Sequence, residues 1–117
     1  MKYMLTIYDD ESIWSGVQPG EVTAMLDGYR EFSEEVRGNG TFVAGEALES
    51  ISTATTVRVK GGERLVTDGP FAETKEQMGG FYLLDCKDLD EAIEYAAKIP
   101  GAQSGCVEVR PVRAFAS

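Results

Sequence analysis

Along this chain the spacing of apolar residues switches from two to about 3.6 and back again, twice, which restricts the fold to a small set of mixed α+β architectures. Lys2 to Tyr8 (KYMLTIY) alternates and is rich in aromatic and β-branched residues, so it predicts a strand. Asp9 to Gly20 carries Ser, Gly and Pro around a lone Trp14 and reads as a loop. Val22, Met25, Leu26, Tyr29, Phe32 and Val36 then recur at steps of three and four, the single apolar stripe of a long amphipathic helix. Glu21 in its first turn and Arg37 in its last suit the helix dipole, and Gly38-Asn39-Gly40 stops it, so the spacing predicts a helix over 21–37.

The second half repeats the rhythm. Thr41 to Leu48 is a strand candidate, and Thr53 to Lys60 and Glu63 to Thr67, joined by Gly61-Gly62, carry a hairpin signal. FYLLDC, Phe81 to Cys86, is nearly continuous in apolar residues, as a central strand should be. Asp88 with Glu91 makes a capping box; Leu89, Ala92, Ile93 and Ala96 line the helix it opens, and Pro100-Gly101 ends it, giving a helix over 88–99. Val107 to Val112 alternates and makes the last strand. With the extra hairpin set aside, the order is β-α-β-β-α-β, which predicts an antiparallel sheet with both helices on one face, the ferredoxin-like arrangement. The other face then needs cover, and a second copy of the chain is the commonest cover, so a homodimer is expected.

Composition narrows the function. At 117 residues the chain is expected to be a single domain. Eleven basic against twenty acidic residues give a net charge of −9, with no run of Lys and Arg, which argues against nucleic acid and anionic membrane surfaces as partners. The apolar stretch of MKYMLTIYDD is broken by Thr6 and is too short for a signal peptide or membrane span, so cytoplasmic residence is expected. Cys86 and Cys106 match no redox or zinc spacing and read as free, buried or half-buried thiols. Histidine is absent, which removes the usual proton shuttle near neutral pH and the commonest metal ligand, and no loop has calcium-ligand spacing. No metal and no cofactor are expected.

The stretch TDGPFAETKEQMGGF, Thr67 to Phe81, is too polar for core and too glycine-rich for a helix. Together with DLDEAIEYAAKIP and the closing VEVRPV, it resembles the DGPF-domain branch of the YCII-related proteins, over nearly the whole chain from MKYMLTIY to Val112. The resemblance implies a dimeric, α/β-barrel-like assembly of ferredoxin type. It also implies bacterial proteins often associated with sigma factors of the extracytoplasmic-function class. Many YCII-like proteins have been proposed to use a His and an Asp in a pocket near the dimer centre. This chain has no His, so that pair does not transfer, and Asp68 of the motif is what remains of it.

Asp68-Gly69-Pro70 has a structural reading, a turn leaving a strand, and a functional one. In the second, Asp68 lies desolvated at the mouth or wall of a cavity and does acid–base work, Lys75 holds an anionic group of the substrate, and Lys75 or an arginine (Arg58 or Arg110) lies within reach of Asp68. Glu46 on the second strand is a buried-carboxylate candidate, and Tyr82 and Arg58 are placed where strand side chains can line a cavity. Gly79-Gly80 reads as a bulge or a close backbone approach. Three functions fit these residues: an enzyme-like dimer using Asp68 on a small organic molecule, a non-catalytic ligand-binding or regulatory dimer, and a dimerisation scaffold.

Overall fold

In a computed structural model of the chain, which describes residues 1–115, the alternating segments pair into two antiparallel sheets. The strands are β1 (Lys2–Asp9), β2 (Phe42–Ala47), β3 (Thr55–Lys60), β4 (Glu63–Asp68), β5 (Gln77–Asp85) and β6 (Cys106–Pro111). The helices are α1 (Pro19–Gly38), α2 (Leu89–Lys98) and the single turn α3 (Gly101–Ser104). Four strands form one sheet in the order β2-β5-β1-β6, every neighbour antiparallel, and β3 and β4 pair separately. With the β3–β4 hairpin set aside, this is the ferredoxin-like βαββαβ order that the periodicity predicts.

Local chemistry explains where the element ends differ from expectation. α1 begins at Pro19, whose missing N–H costs nothing in the first helical turn. The expected loop before it contains a 3-10 helix, Glu11–Gly16, capped by Asp10, which accepts from Ser12 N at 3.0 Å. β5 starts at Gln77, four residues before Phe81, because Gly79 is absorbed as a bulge: the register steps from Ile7 opposite Gly80 to Tyr8 opposite Met78. The capping of α2 is as expected, with Asp88 Oδ1 accepting from Glu91 N at 2.9 Å.

Tyr3, Leu5 and Ile7 of β1 and Tyr82 and Leu84 of β5 share the helix-covered face. They pack with Phe32 and Val36 of α1, Ala92 and Ala96 of α2, and Ile99. Leu5, Leu84, Val36 and Ile99 are fully buried, each contributing about 1.5–3 kcal/mol of apolar burial. The opposite face carries Met4 and Thr6 of β1 across from Leu83 and Phe81 of β5, flanked by Glu108 and Arg110 of β6. One expectation needs correcting here. Both cysteines are free, but only Cys86 is buried; Cys106 is exposed, because it starts the edge strand β6 opposite Tyr8 on this uncovered face.

The β3–β4 hairpin stands away from the body. Its Gly61-Gly62 turn has φ of 56° and 81°, the left-handed pair that a tight hairpin needs, and every residue of β4 is exposed. The radius of gyration, 16.3 Å, exceeds the roughly 13 Å of a compact chain of this length. No helix among the described residues is long and apolar enough to cross a membrane.

Candidate functional site: a groove under the first helix

The apolar stripe of α1 is uniform in sequence and divided in space. Phe32 and Val36 in its C-terminal half are buried, whereas Leu26 in its N-terminal half is 60% exposed. The cause lies in the sheet beneath. The helix-facing positions of β2 and β5 at that end are Gly45 opposite Tyr82 and Ala47 opposite Gly80. Small residues at both strands leave a floor without side chains, and a groove of about 520 Å³ opens between floor and helix. A side chain at either glycine would fill it. A Cβ on Gly45 would meet the Tyr82 ring at 3.0 Å and the Phe42 ring at 3.1 Å, and one on Gly80 would meet the Glu46 carbonyl oxygen at 2.9 Å.

Aromatic side chains wall the groove: Trp14, Tyr29, Phe42 and Tyr82, with Met25 and Leu26 above. The Tyr82 hydroxyl shares a 2.9 Å hydrogen bond with Ser33 Oγ, and Phe32 packs edge-on against the Tyr82 ring at 4.9 Å. The Tyr29 hydroxyl accepts from Gly101 N at 3.1 Å. Burial pushes the Tyr29 pKa up, the Gly101 bond opposes the rise, and Tyr82 and Asp9 add to it; Tyr29 therefore stays a neutral phenol at physiological pH. These hydroxyls are hydrogen-bonding groups, suited to orienting a ligand.

The charged groups of the groove differ in how fully they are engaged. Asp9 accepts from Asp10 N at 2.8 Å, Ser104 Oγ at 2.7 Å and Trp14 Nε1 at 3.3 Å, so it fixes the indole as an end wall. Glu11 accepts from Ser50 Oγ and Ile51 N, both at 2.9 Å, and clasps the base of the hairpin to the 3-10 helix. Arg37 is different: its guanidinium lies 4.0 Å from the centroid of the Phe42 ring and forms no ion pair among the described residues. Among those residues no cluster of three or more His, Cys, Asp or Glu side chains is placed to hold a metal ion.

A second cleft, of about 540 Å³, runs on the other flank of α1 towards α2 and α3. It is bordered by the Lys98–Glu35 ion pair, 2.8 Å long and half exposed, an ordinary feature of a solvated helix–helix seam. The groove, with its aromatic walls, hydrogen-bonding hydroxyls and a cation without an ion pair among the described residues, is the better-built site.

Of the residues singled out from sequence, Tyr82 and Glu46 line the groove, Tyr82 buried and Glu46 exposed on the edge strand. Asp68, Arg58 and Lys75 are exposed and line neither cleft. Asp68 ends β4 opposite Thr55, beside a turn closed by Gly69 N donating to Ala54 O at 2.7 Å. Arg58 projects from the hairpin, Arg110 is bound by Glu108 at 2.8 Å, and no ion pair joins Asp68 to either of them or to Lys75 among the described residues. Lys75 instead acts on Asp10, whose carboxyl is held low chiefly by hydrogen bonds from Ser12 and slightly by this cation. The sequence reading did not single out Arg37, Ser33, Tyr29 and Asp9 as site residues. The signal pointing to them was a glycine inside each of two strands, Gly45 and Gly80.

The fold and the groove define an α+β domain of ferredoxin type with an aromatic-walled groove under its first helix. The chain belongs to the YCII-related domain family, which it matches over residues 1–116. It is 37% identical over 117 residues to an uncharacterized protein of Rhizobium meliloti (strain 1021), covering 98% of this chain and 94% of that one. Among solved structures it is similar to a 5-chloro-2-hydroxyhydroquinone dehydrochlorinase of Burkholderia phenoliruptrix in complex with 2,5-dihydroxybenzoquinone. There the TM-score is 0.48 and the identity 14%, over 97% of this chain and 94% of that one.

Proposed function

We propose that this YCII-related protein, of the DGPF branch on its TDGPFAETKE motif, is a homodimer that takes a small, flat organic acid into the groove under α1. The observation that carries the reading is Arg37: a cation without an ion-pair partner among the described residues, stacked on Phe42 at the wall of an aromatic cavity of about 520 Å³. Such a guanidinium offers two donors in one plane, which suits a carboxylate or phenolate on an aromatic body. The neutral hydroxyls of Ser33, Tyr82 and Tyr29 then orient polar substituents. The dimer would form by joining the uncovered sheet faces around Met4, Phe81 and Leu83, removing on the order of 1,200 Å² or more from water. Asp68, Lys75 and Arg58 lie outside their own chain's groove, so any part they take in the site, including acid–base work by Asp68, would require the second copy.

Isothermal titration with benzoate and its hydroxylated derivatives tests the reading. At least one should bind, and Arg37→Met should weaken it about 10- to 100-fold, the scale of a lost charge-assisted pair. Absence of binding by the whole series, or equal binding by Arg37→Met, would sink the proposal.

A further inference from the structure

The groove has a direction. Arg37, Ser33, Tyr29 and Met25 border it at steps of four along α1, so they form one ridge about 18 Å long on that helix. The sheet gives the same span. Phe42, beneath Arg37, and Tyr3 both lie level with Leu84, and Asp9 lies further along β1, about 20 Å away. From Gly45 to Ala47 and Gly80 the floor interposes no long side chain. A single-ring acid held by Arg37 covers little more than the first step of the ridge, to Ser33. The volume, about 520 Å³, suits a larger molecule, since pockets of roughly 300–1,000 Å³ enclose drug-sized ligands.

The two ends of the groove differ in charge. Arg37 stands at one, and Asp9 and Glu11 stand with the Trp14 indole at the other. Trp14 Nε1 donates to Asp9 Oδ2 at 3.3 Å, which holds an aromatic ring and an acceptor carboxylate at the same place. The Asp10 N–H and Ser104 Oγ also donate to Asp9, and Glu11 accepts from Ser50 and Ile51, so both carboxylates are fixed there. A second anion arriving at that end meets two carboxylates; a hydroxyl meets two acceptors.

We propose that the ligand is an elongated monoacid. Its single carboxylate or phenolate lies on Arg37, a flat body of two rings in line follows the ridge, and a hydrogen-bond donor reaches the Trp14–Asp9 end. This rests on the reading of the groove as a site for aromatic acids, and adds to it the ligand's length and polarity.

Three compounds test it: 4-hydroxybenzoate, 4′-hydroxybiphenyl-4-carboxylate and biphenyl-4,4′-dicarboxylate. Each is titrated calorimetrically and by the fluorescence of Trp14, the sole tryptophan. The two-ring hydroxy acid should bind about 10-fold more tightly than the one-ring acid, through the added apolar burial. The dicarboxylate should bind about 10-fold more weakly than the two-ring hydroxy acid, through like charges at the far end. Both biphenyls should change Trp14 fluorescence, and 4-hydroxybenzoate should leave it nearly unchanged. Asp9→Asn should narrow the gap between the two biphenyls, and so should Glu11→Gln, with circular dichroism verifying that each variant is folded. Equal affinity for one ring and two would overturn the inference. So would a dicarboxylate that binds as tightly as the hydroxy acid, a gap unchanged in both folded variants, or two-ring binding that leaves Trp14 unaffected. In each of those cases the groove reading stands as long as Arg37→Met still weakens binding. No binding by any of the three, or binding indifferent to Arg37→Met, takes down the groove reading and this inference with it.

Discussion

The two halves of α1 carry the same apolar stripe and meet opposite fates. Around Phe32 and Val36 the sheet offers Tyr82 and Leu84, and the helix packs down until both of its residues are buried. Around Met25 and Leu26 the sheet offers Gly45, Ala47 and Gly80, and the helix has nothing to pack on. Helix pattern alone therefore does not decide burial; the volume facing it does. The packed half holds the domain together, and the open half leaves a groove at low cost to stability.

The sharpest way to break that contrast is to truncate the packed half. Phe32→Ala should cost about 3–5 kcal/mol in a denaturant melt, since it removes a buried ring that touches Tyr82 and Tyr95 edge-on. A loss under about 1 kcal/mol would mean that the two halves are equivalent after all.

Filling the floor attacks the contrast from the other side. Gly45→Ala places a methyl 3.0 Å from Tyr82 and 3.1 Å from both Phe42 and the Phe81 carbonyl. Stability should fall by about 1–3 kcal/mol through overpacking, and the groove should narrow enough to abolish binding of aromatic acids. A variant that binds undiminished would show that the floor does not form the site.

Much of the fold was legible in the sequence because it depends on local periodicity. The run Val22 to Val36 marks α1, Gly61-Gly62 marks the hairpin, and Gly79-Gly80 marks the bulge in β5 where the register slips opposite Ile7 and Tyr8. The groove was not legible, because it depends on which small residue of β2 lies across from which small residue of β5. Gly45 and Gly80 are 35 positions apart, and only register brings them to one floor. Asp68 drew attention by its motif, yet its surroundings in the single chain are those of a turn, with Gly69 bonded to Ala54 and Thr56 Oγ1 donating to the Gly69 carbonyl at 2.8 Å. Trp14, unremarkable inside an apparent loop, becomes an end wall because Asp9 holds its indole N–H.

Smaller effects sharpen the comparison within the groove. Ser33→Ala removes the partner of the Tyr82 hydroxyl and should cost about 1 kcal/mol by thermal melt. Leu26→Ala, at the open end of the stripe, should move stability by no more than about 0.5 kcal/mol, the usual range for an exposed position. The same substitution should still weaken ligand binding measurably, since Leu26 lines the cavity. Loss of several kcal/mol from Leu26→Ala would show that the open half is packed in solution.

The smallest effect is invisible at neutral pH. Burial raises the Tyr29 pKa in the folded state, with Tyr82 and Asp9 pushing the same way against the Gly101 hydrogen bond. The folded protein therefore holds the phenol proton more tightly than the unfolded chain does. The resulting stability is fully present below the unfolded value, near 10, and is lost as pH rises through the folded value. Denaturant midpoints between pH 8 and pH 11 should thus fall for the native chain. Tyr29→Phe shifts the whole curve down through the bond lost to Gly101, but its alkaline limb should be flatter, because the remaining tyrosines titrate in both proteins. Parallel alkaline limbs would mean that Tyr29 is as well solvated in the folded protein as in the unfolded one, and that the groove admits water freely to its hydroxyl.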